Sequence, residues 1–299
     1  MVDEREGRSR TVAILGASVL GGALAHKLAG RDRVDEIRLV DPNAKVAAGM
    51  ALDIQQAGSI EGYRTRVVSA GDVQAAAGAA VIVLAGFARP TAPYEDEEDK
   101  KDQGKAEYAL LKQVAQLDSD AVLVCADASH RPLIERGVRE MKIPRARVIG
   151  SAPGALASAL RALVALEVEG SPSQVALAVL GTPPHHTVIS WSDATVRGQA
   201  LTQLLEPQRL TRLKARVPSL WPPGPYSLAS AASRVCEAIV GGGSDRAFSC
   251  FVGLDRELGA RHVVSALSVV LGPQGVTRIL TPSLSVHERV ELENALAAT

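Results

Sequence analysis

Aromatic residues make up only 3% of the 299-residue chain, too few for the stacking platforms on which single-stranded nucleic acids bind. Nor is there an excess of charge of either sign: Lys+Arg and Asp+Glu each total 33, so the formal net charge is zero. Without a basic surplus, nucleic acid is not an expected partner. The three cysteines, Cys125, Cys236 and Cys250, are odd in number and scattered, which excludes a disulfide framework. None forms a Cys-x-x-Cys pair, so no metal site is expected, and the expected compartment is the reducing cytoplasm. The opening MVDEREGRSR is charged throughout and has no apolar core of a secretory signal. The longest nearly uncharged apolar stretch, Val73 to Ala88, is broken by Gln74, Gly78 and Gly86 and is too short to span a bilayer. A membrane is therefore not an expected partner.

What is present is 46% apolar content, enough for sizeable cores. The first half alternates apolar runs with Ala/Leu-rich segments. Thr11–Leu15, Ile37–Val40, Val67–Val68, Val81–Ala85, Ala121–Ala126 and Val148–Ile149 are predicted strands, with helices such as Val19–Leu28 and Ala106–Leu117 between the stronger runs. Uninterrupted apolar strands separated by helices predict a parallel sheet covered on both faces. GSAPG at 150–154 is a natural break, so the expected organisation is a Rossmann-type α/β domain over 1–150 and an α+β domain over 151–299. In the second part the spacing predicts a helix over Ala155–Leu166, a strand over Val175–Leu180 and a proline-rich loop over Val217–Pro225. A helix over Leu228–Val240, strands over Ala247–Val252 and Val263–Val270, and a helix over His287–Leu296 complete it.

The chemistry-bearing motif is TVAILGASVLGGALAHKLAG. It sets Gly16 at the end of the first strand and Gly21 at the start of a helix, with Asp41 closing the second strand 20 residues later. In a dinucleotide site the first glycine makes the tight turn, the helix N-terminus stabilises the pyrophosphate, and the acid accepts from ribose hydroxyls. Ser18 occupies the middle glycine position; its Cβ crowds the phosphate approach while its hydroxyl could donate to it. An acid at Asp41 repels a 2′-phosphate, so NAD is expected over NADP. The alternative is a strand-turn-helix whose glycines serve packing alone.

Beyond this motif the chain resembles the lactate/malate dehydrogenase family. AGMALDIQQA (48–57), VIVLAGFARP (81–90), VALAVLGTPPHHTVISWSDATVRG (175–198) and LGPQGVTRIL (271–280), the last followed by Leu284 and Glu288, occur in the family's order and spacing. The resemblance implies NAD as cofactor, with Gly16, Ser18, Gly21, Asp41 and Gly86 as the cofactor-binding set. It also implies hydride transfer from a 2-hydroxy acid. That chemistry needs a histidine base oriented by a carboxylate, and arginines for the substrate carboxylate and carbonyl.

Matched to the family, the base position holds Pro183, with His185 and His186 following. The carboxylate position holds Ala157, and the substrate arginine position holds Leu160 beside Arg161; a one-residue slip restores Arg161 and leaves Ser158 at the acid position. Arg89 keeps the first loop arginine. Glu95 replaces the second, within the run Glu95, Asp96, Glu97, Glu98, Asp99. Like charges about 4 Å apart repel by roughly 1 kcal/mol in water and roughly 4 kcal/mol at an effective dielectric near 20, so this run opposes an anionic substrate. The family's Asn-Pro pair is Asp127-Ala128.

The expected function is thus an NAD-binding family member without normal 2-hydroxy-acid dehydrogenase activity, in a regulatory or assembly role. One alternative is an active oxidoreductase on a different, non-dicarboxylate substrate, neutral or cationic, served by Arg89, Asp127, His185 and the acidic loop with Asp127 or His185 as base; Arg161 is a further candidate catalytic residue. The other is a structural protein. The expected partners are a second copy or a family relative.

Overall fold

The structure, a computed structural model, describes residues 10–88, 97–117 and 120–298, the side chains of 97–101 excepted. The first half is built from β1 (Thr11–Leu15), α1 (Val19–Ala29), β2 (Glu36–Val40), α2 (Ala44–Glu61), β3 (Arg66–Ala70), β4 (Val81–Leu84), α3 (Glu97–Gln116), β5 (Val122–Cys125), α4 (Arg131–Arg139) and β6 (Val148–Gly150). The six strands are parallel in the order β3-β2-β1-β4-β5-β6. Both faces of β1, β4 and β5 are buried, as expected for apolar runs with helices above and below. Local chemistry sets the helix ends. Ser18 and Asn43 cap α1 and α2, and α2 stops at Gly62, whose φ of 83° is the left-handed conformation glycine adopts without strain.

The second half adds α5 (Ala152–Glu167), β7 (Val175–Ala176), β8 (Val179–Thr182), β9 (His186–Ile189), β10 (Thr195–Val196), β11 (Gln199–Ala200), α6 (Leu201–Leu204), α7 (Pro207–Arg216), α8 (Pro225–Val240), β12 (Ser244–Asp255), β13 (Arg261–Gly272), β14 (Gly275–Leu280) and α9 (Val286–Ala297). Strand β12 adds antiparallel to β6, through Phe251 opposite Gly150, and β13, β8, β9 and β14 extend one 11-stranded sheet. A Cβ on Gly150 would lie 2.6 Å from Ile134 Cδ1 and 2.8 Å from Phe251 Cβ, so only glycine admits this junction. On one face α8 packs against α1, pinned by Arg31 to the buried Glu237 at 2.9 Å.

Three sequence expectations need correction. Val175–Leu180 is two strands: β7 pairs with β10 in a small three-stranded sheet, and β8 crosses to the main sheet. Between them Ala178 bonds to Ser190, its N–H to Oγ at 3.0 Å and its carbonyl from the Ser190 N–H at 3.2 Å. Val217–Pro225 is not all loop, since a 3₁₀ turn spans Val217–Leu220 and Pro225 opens α8, where a missing N–H costs nothing. β12 and β13 are each 12 residues long, because the hairpin continues past the buried residues into exposed ends. Among the described residues no helix is long and apolar enough to cross a membrane.

Candidate active site

The strand order reverses between β1 and β4, and ligands of open parallel sheets bind in the crevice outside such a switch point. The chain leaves the sheet here in a row: Gly16 after β1, Asp41 after β2, Gly86 after β4, Asp127 after β5 and Ser151 after β6. Backbone bonds continue each ladder, such as Gly16 N–H to Val40 O at 2.7 Å and Ala126 N–H to Leu84 O at 3.0 Å.

Gly16 has φ +115°, and a Cβ there would stand 1.9 Å from the Gly86 carbonyl oxygen; a Cβ on Gly21 would stand 2.0 Å from the Gly16 oxygen. These glycines let three backbone segments touch, a packing need in its own right. Ser18 Oγ donates to the Ala85 carbonyl at 2.6 Å and accepts from the Gly21 N–H at 3.2 Å. Its hydroxyl proton is therefore committed to the end of β4 rather than to a phosphate. The Gly22 N–H is taken by the Ser18 carbonyl, which leaves the Val19 and Leu20 amides as the first-turn donors of α1.

Asp41 is 1% exposed. Its Oδ2 accepts from the Ala17 and Ala88 N–H groups and its Oδ1 from the Asn43 N–H, all at 2.8 Å. The acid that the motif assigns to ribose hydroxyls thus ties the glycine turn to the loop after β4. Of roughly four acceptor positions on a carboxylate, three are filled.

Past β5, Asp127 is half-buried and caps a 3₁₀ turn over Ala128–His130, its Oδ1 accepting from the Ser129 N–H at 2.9 Å and the Ser129 hydroxyl at 2.7 Å. No hydrogen bond to its Oδ2 is found among the described residues. Below it lies a pair that the sequence analysis did not find. His130 is 1% exposed and its Nε2 is 3.2 Å from Oε1 of the buried Glu107, close enough for an ion pair though not aligned as a hydrogen bond. The available signals were an acid on the buried stripe with Leu110, Leu111 and Val114 of α3, and an Asp-x-x-His capping spacing at 127–130. Ser151 is fully buried and its Oγ has no partner among the described residues.

The remaining candidates are dispersed. Pro183 is buried in the β8–β9 turn, His185 is exposed at its tip and His186 is exposed on β9. Ala157 and Leu160 point into the core of α5, and Ser158 is exposed. Arg161 is not a plain surface residue. It is half-buried, its Nε has no partner among the described residues, and desolvation lowers its pKa from the ordinary arginine value. Arg89 and the side chains of Glu95 to Asp99 lie outside the described residues. A cavity of about 520 Å³ lies at the other end of the parallel strands, between α4 and the β12–β13 hairpin. It therefore has no part in the crevice.

A parallel sheet in this order, with a glycine turn into a capped helix and an acid ending β2, defines a dinucleotide-binding dehydrogenase fold. Residues 10–99 match the model of the lactate/malate dehydrogenase NAD binding domain. The chain is 28% identical over 298 residues to a malate dehydrogenase of Thermomicrobium roseum, covering 97% of this chain and 96% of that protein. It is 27% identical over 292 residues to one of Dehalococcoides mccartyi, covering 94% of each. The chain is thus similar to the lactate/malate dehydrogenase family, through its NAD binding domain over residues 10–99 and to malate dehydrogenases over nearly its whole length. The solved lactate dehydrogenase of Cryptosporidium parvum, complexed with lactic acid and nicotinamide adenine dinucleotide, shares the fold. Its TM-score is 0.88 at 19% identity, over 100% of this chain and 96% of that one. The malate dehydrogenase of Aeropyrum pernix does so at 0.85 and 21%, over 96% and 95%.

Proposed function

We propose that this chain is an NAD-dependent oxidoreductase, malate dehydrogenase-like in fold and cofactor, that acts on a neutral or cationic hydroxy compound rather than a dicarboxylate. Full-length likeness to malate dehydrogenases supports an enzyme over a purely regulatory or structural descendant. The altered anion-binding positions support the change of substrate. By resemblance the substrate arginine is replaced by the buried Leu160, the second loop arginine by Glu95 and the neutral asparagine by Asp127.

The residues present fit the cofactor. The Val19 and Leu20 amides at the start of α1 would hold the pyrophosphate, and Asp41 the ribose hydroxyls once Ala88 steps off its carboxylate. When bound, NAD supplies a hydride acceptor at its nicotinamide ring. Asp41 repels the additional phosphate of NADP. The observation that carries the catalytic assignment is Asp127: half-buried, two strand spacings or about 10 Å from the glycine turn, with one carboxylate oxygen uncommitted among the described residues. As hydride leaves the hydroxyl-bearing carbon, the hydroxyl proton passes to Oδ2 of Asp127. A positioned base of this kind contributes about 10²- to 10⁴-fold.

Calorimetry with NAD and NADP, followed by NADH absorbance with malate, lactate, neutral diols and amino alcohols, tests this. The expected result is NAD-selective binding, turnover confined to the uncharged or cationic compounds, and a loss of about 10²-fold or more in Asp127→Asn. Malate or lactate turned over at ordinary enzyme rates refutes the substrate assignment. NAD binding with no turnover of any compound returns the chain to a regulatory or assembly role.

A further inference from the structure

Glu107 is a buried acid that the proposed reaction does not use. Its Oε1 accepts from Gln103 Nε2 at 2.8 Å, one helical turn back on α3, and stands 3.2 Å from His130 Nε2. The other ring nitrogen of His130 faces the Asp127 backbone N–H at 3.4 Å, closing a capping box over the 3₁₀ turn. A continuous chain, Gln103–Glu107–His130–Asp127, therefore runs from α3 to the end of β5. It also reaches the glycine turn. A Cβ on Gly86 would meet Gln103 Nε2 and Glu107 Oε1 at 3.8 Å and Ser18 Oγ at 3.9 Å. A buried carboxylate and a buried imidazole are costly apart, so each side chain constrains the other.

We propose that His130 and Glu107 are positioning residues that hold Asp127 and the Gly86 loop in place at the mouth of the crevice. The consequence for cofactor binding rests on the NAD-dependent reading above; the link between α3 and the end of β5 does not.

The pair makes that link responsive to pH. Facing His130 is Glu107 from α3, which itself holds Gln103 and acts on Cys125 of β5, with Asp127 and Arg131 flanking the ring in the turn and at the start of α4. Cys125 stays a neutral thiol, because burial and the Glu107 charge push its pKa up. Burial opposes the imidazolium, but Glu107 and Asp127 outweigh it and hold the His130 pKa above the ordinary histidine value. A raised folded-state pKa means that the contribution is complete below the unfolded value and is lost as pH rises through the folded one. The ion pair with Glu107 is thus complete in acid, but protonation puts an N–H on the Nδ1 that accepts from the Asp127 amide, so the link to Asp127 is made by the neutral ring and opens as pH falls through the His130 midpoint.

Ring-labelled histidine NMR on the full chain, assigned with His130→Gln, reads the pair directly, and NADH fluorescence titrations over roughly pH 6 to 9 read its consequence. His130 is expected to titrate above the ordinary histidine value, and Glu107→Gln to move its midpoint down. NADH affinity of the native chain should fall several-fold as pH drops through the His130 midpoint, and the break should move with it in Glu107→Gln. His130→Gln keeps a donor for Glu107 and an acceptor for the Asp127 amide, and should bind NADH without that break. A His130 midpoint at the ordinary histidine value, or unmoved by Glu107→Gln, overturns the pairing. A break that stays put while the midpoint moves overturns the positioning role. Absence of NADH binding at every pH rejects the NAD-dependent reading and the positioning consequence with it, whereas the histidine titration still decides the pairing.

Discussion

Replacing Asp41 by asparagine separates a side chain kept for a ligand from one that holds the protein together. In the native chain three amides end on its carboxylate at 2.8 Å: Ala17 and Ala88 on Oδ2 and Asn43 on Oδ1. An asparagine has one acceptor oxygen, and its NH₂ must face at least one of these N–H donors. With the oxygen turned to Ala17 and Ala88, the exposed Asn43 amide turns to water at little cost, but two charge-assisted bonds become neutral ones. Hydrogen bonds to charged groups are worth about 1.5–3 kcal/mol and neutral ones about 0.5–1.5 kcal/mol, so the buried pair loses about 2–3 kcal/mol in all. For a chain of this size about 1 kcal/mol moves Tm by ~2 °C, which puts the fall at roughly 4–6 °C. Calorimetric melting without any nucleotide measures it, with Asp245→Asn as an exposed control expected within about 0.5 kcal/mol of native. If Asp41→Asn melts with the control, the carboxylate is not the tie between the glycine turn and the loop after β4. The account of the crevice then fails.

Two further outcomes test other parts of the fold. Glu288 is buried and accepts from the Ser192 and Ser285 amides at 2.9 Å each and from both serine hydroxyls. Burial raises its pKa, but these donors outweigh it and hold it below the ordinary 4.5. Its contribution is therefore present above about pH 4.5 and lost as pH falls through the folded value, and Glu288→Gln should flatten the acid limb of a denaturant-stability profile; an unchanged limb refutes the assignment. Cys125, Cys236 and Cys250 are all buried with raised pKa values, that of Cys250 pushed up to about 12, so a thiol reagent should titrate none in the native chain and all three in denaturant. Rapid labelling of a native cysteine refutes their burial.

The parallel half was legible because its strands are short and wholly apolar: VIVL and VLVC have no polar face to mislead. The ends of β12 and β13 were not, since Ser244–Arg246 and Arg261–His262 join the hairpin with exposed side chains. Glycine spacing found Gly16, Gly21 and Asp41, yet spacing carries no information about partners. Asp41 meets Ala88 across 47 positions, and Glu107 meets His130 only because α3 and the turn after β5 pack on the same strands. The half-burial of Arg161 depends on elements far away in the chain, which an alignment slip of one residue does not reveal.

The single register pair between Gly150 and Phe251 also governs how the chain can be made. As it leaves the ribosome, β6 shows a bare hydrogen-bonding edge until Phe251 emerges about a hundred residues later. Such an edge recruits other strands, so the nascent N-terminal half is the species most exposed to misassembly and most in need of a holding chaperone. Truncating the gene before Ser244 should give an aggregating product rather than a free-standing nucleotide-binding module.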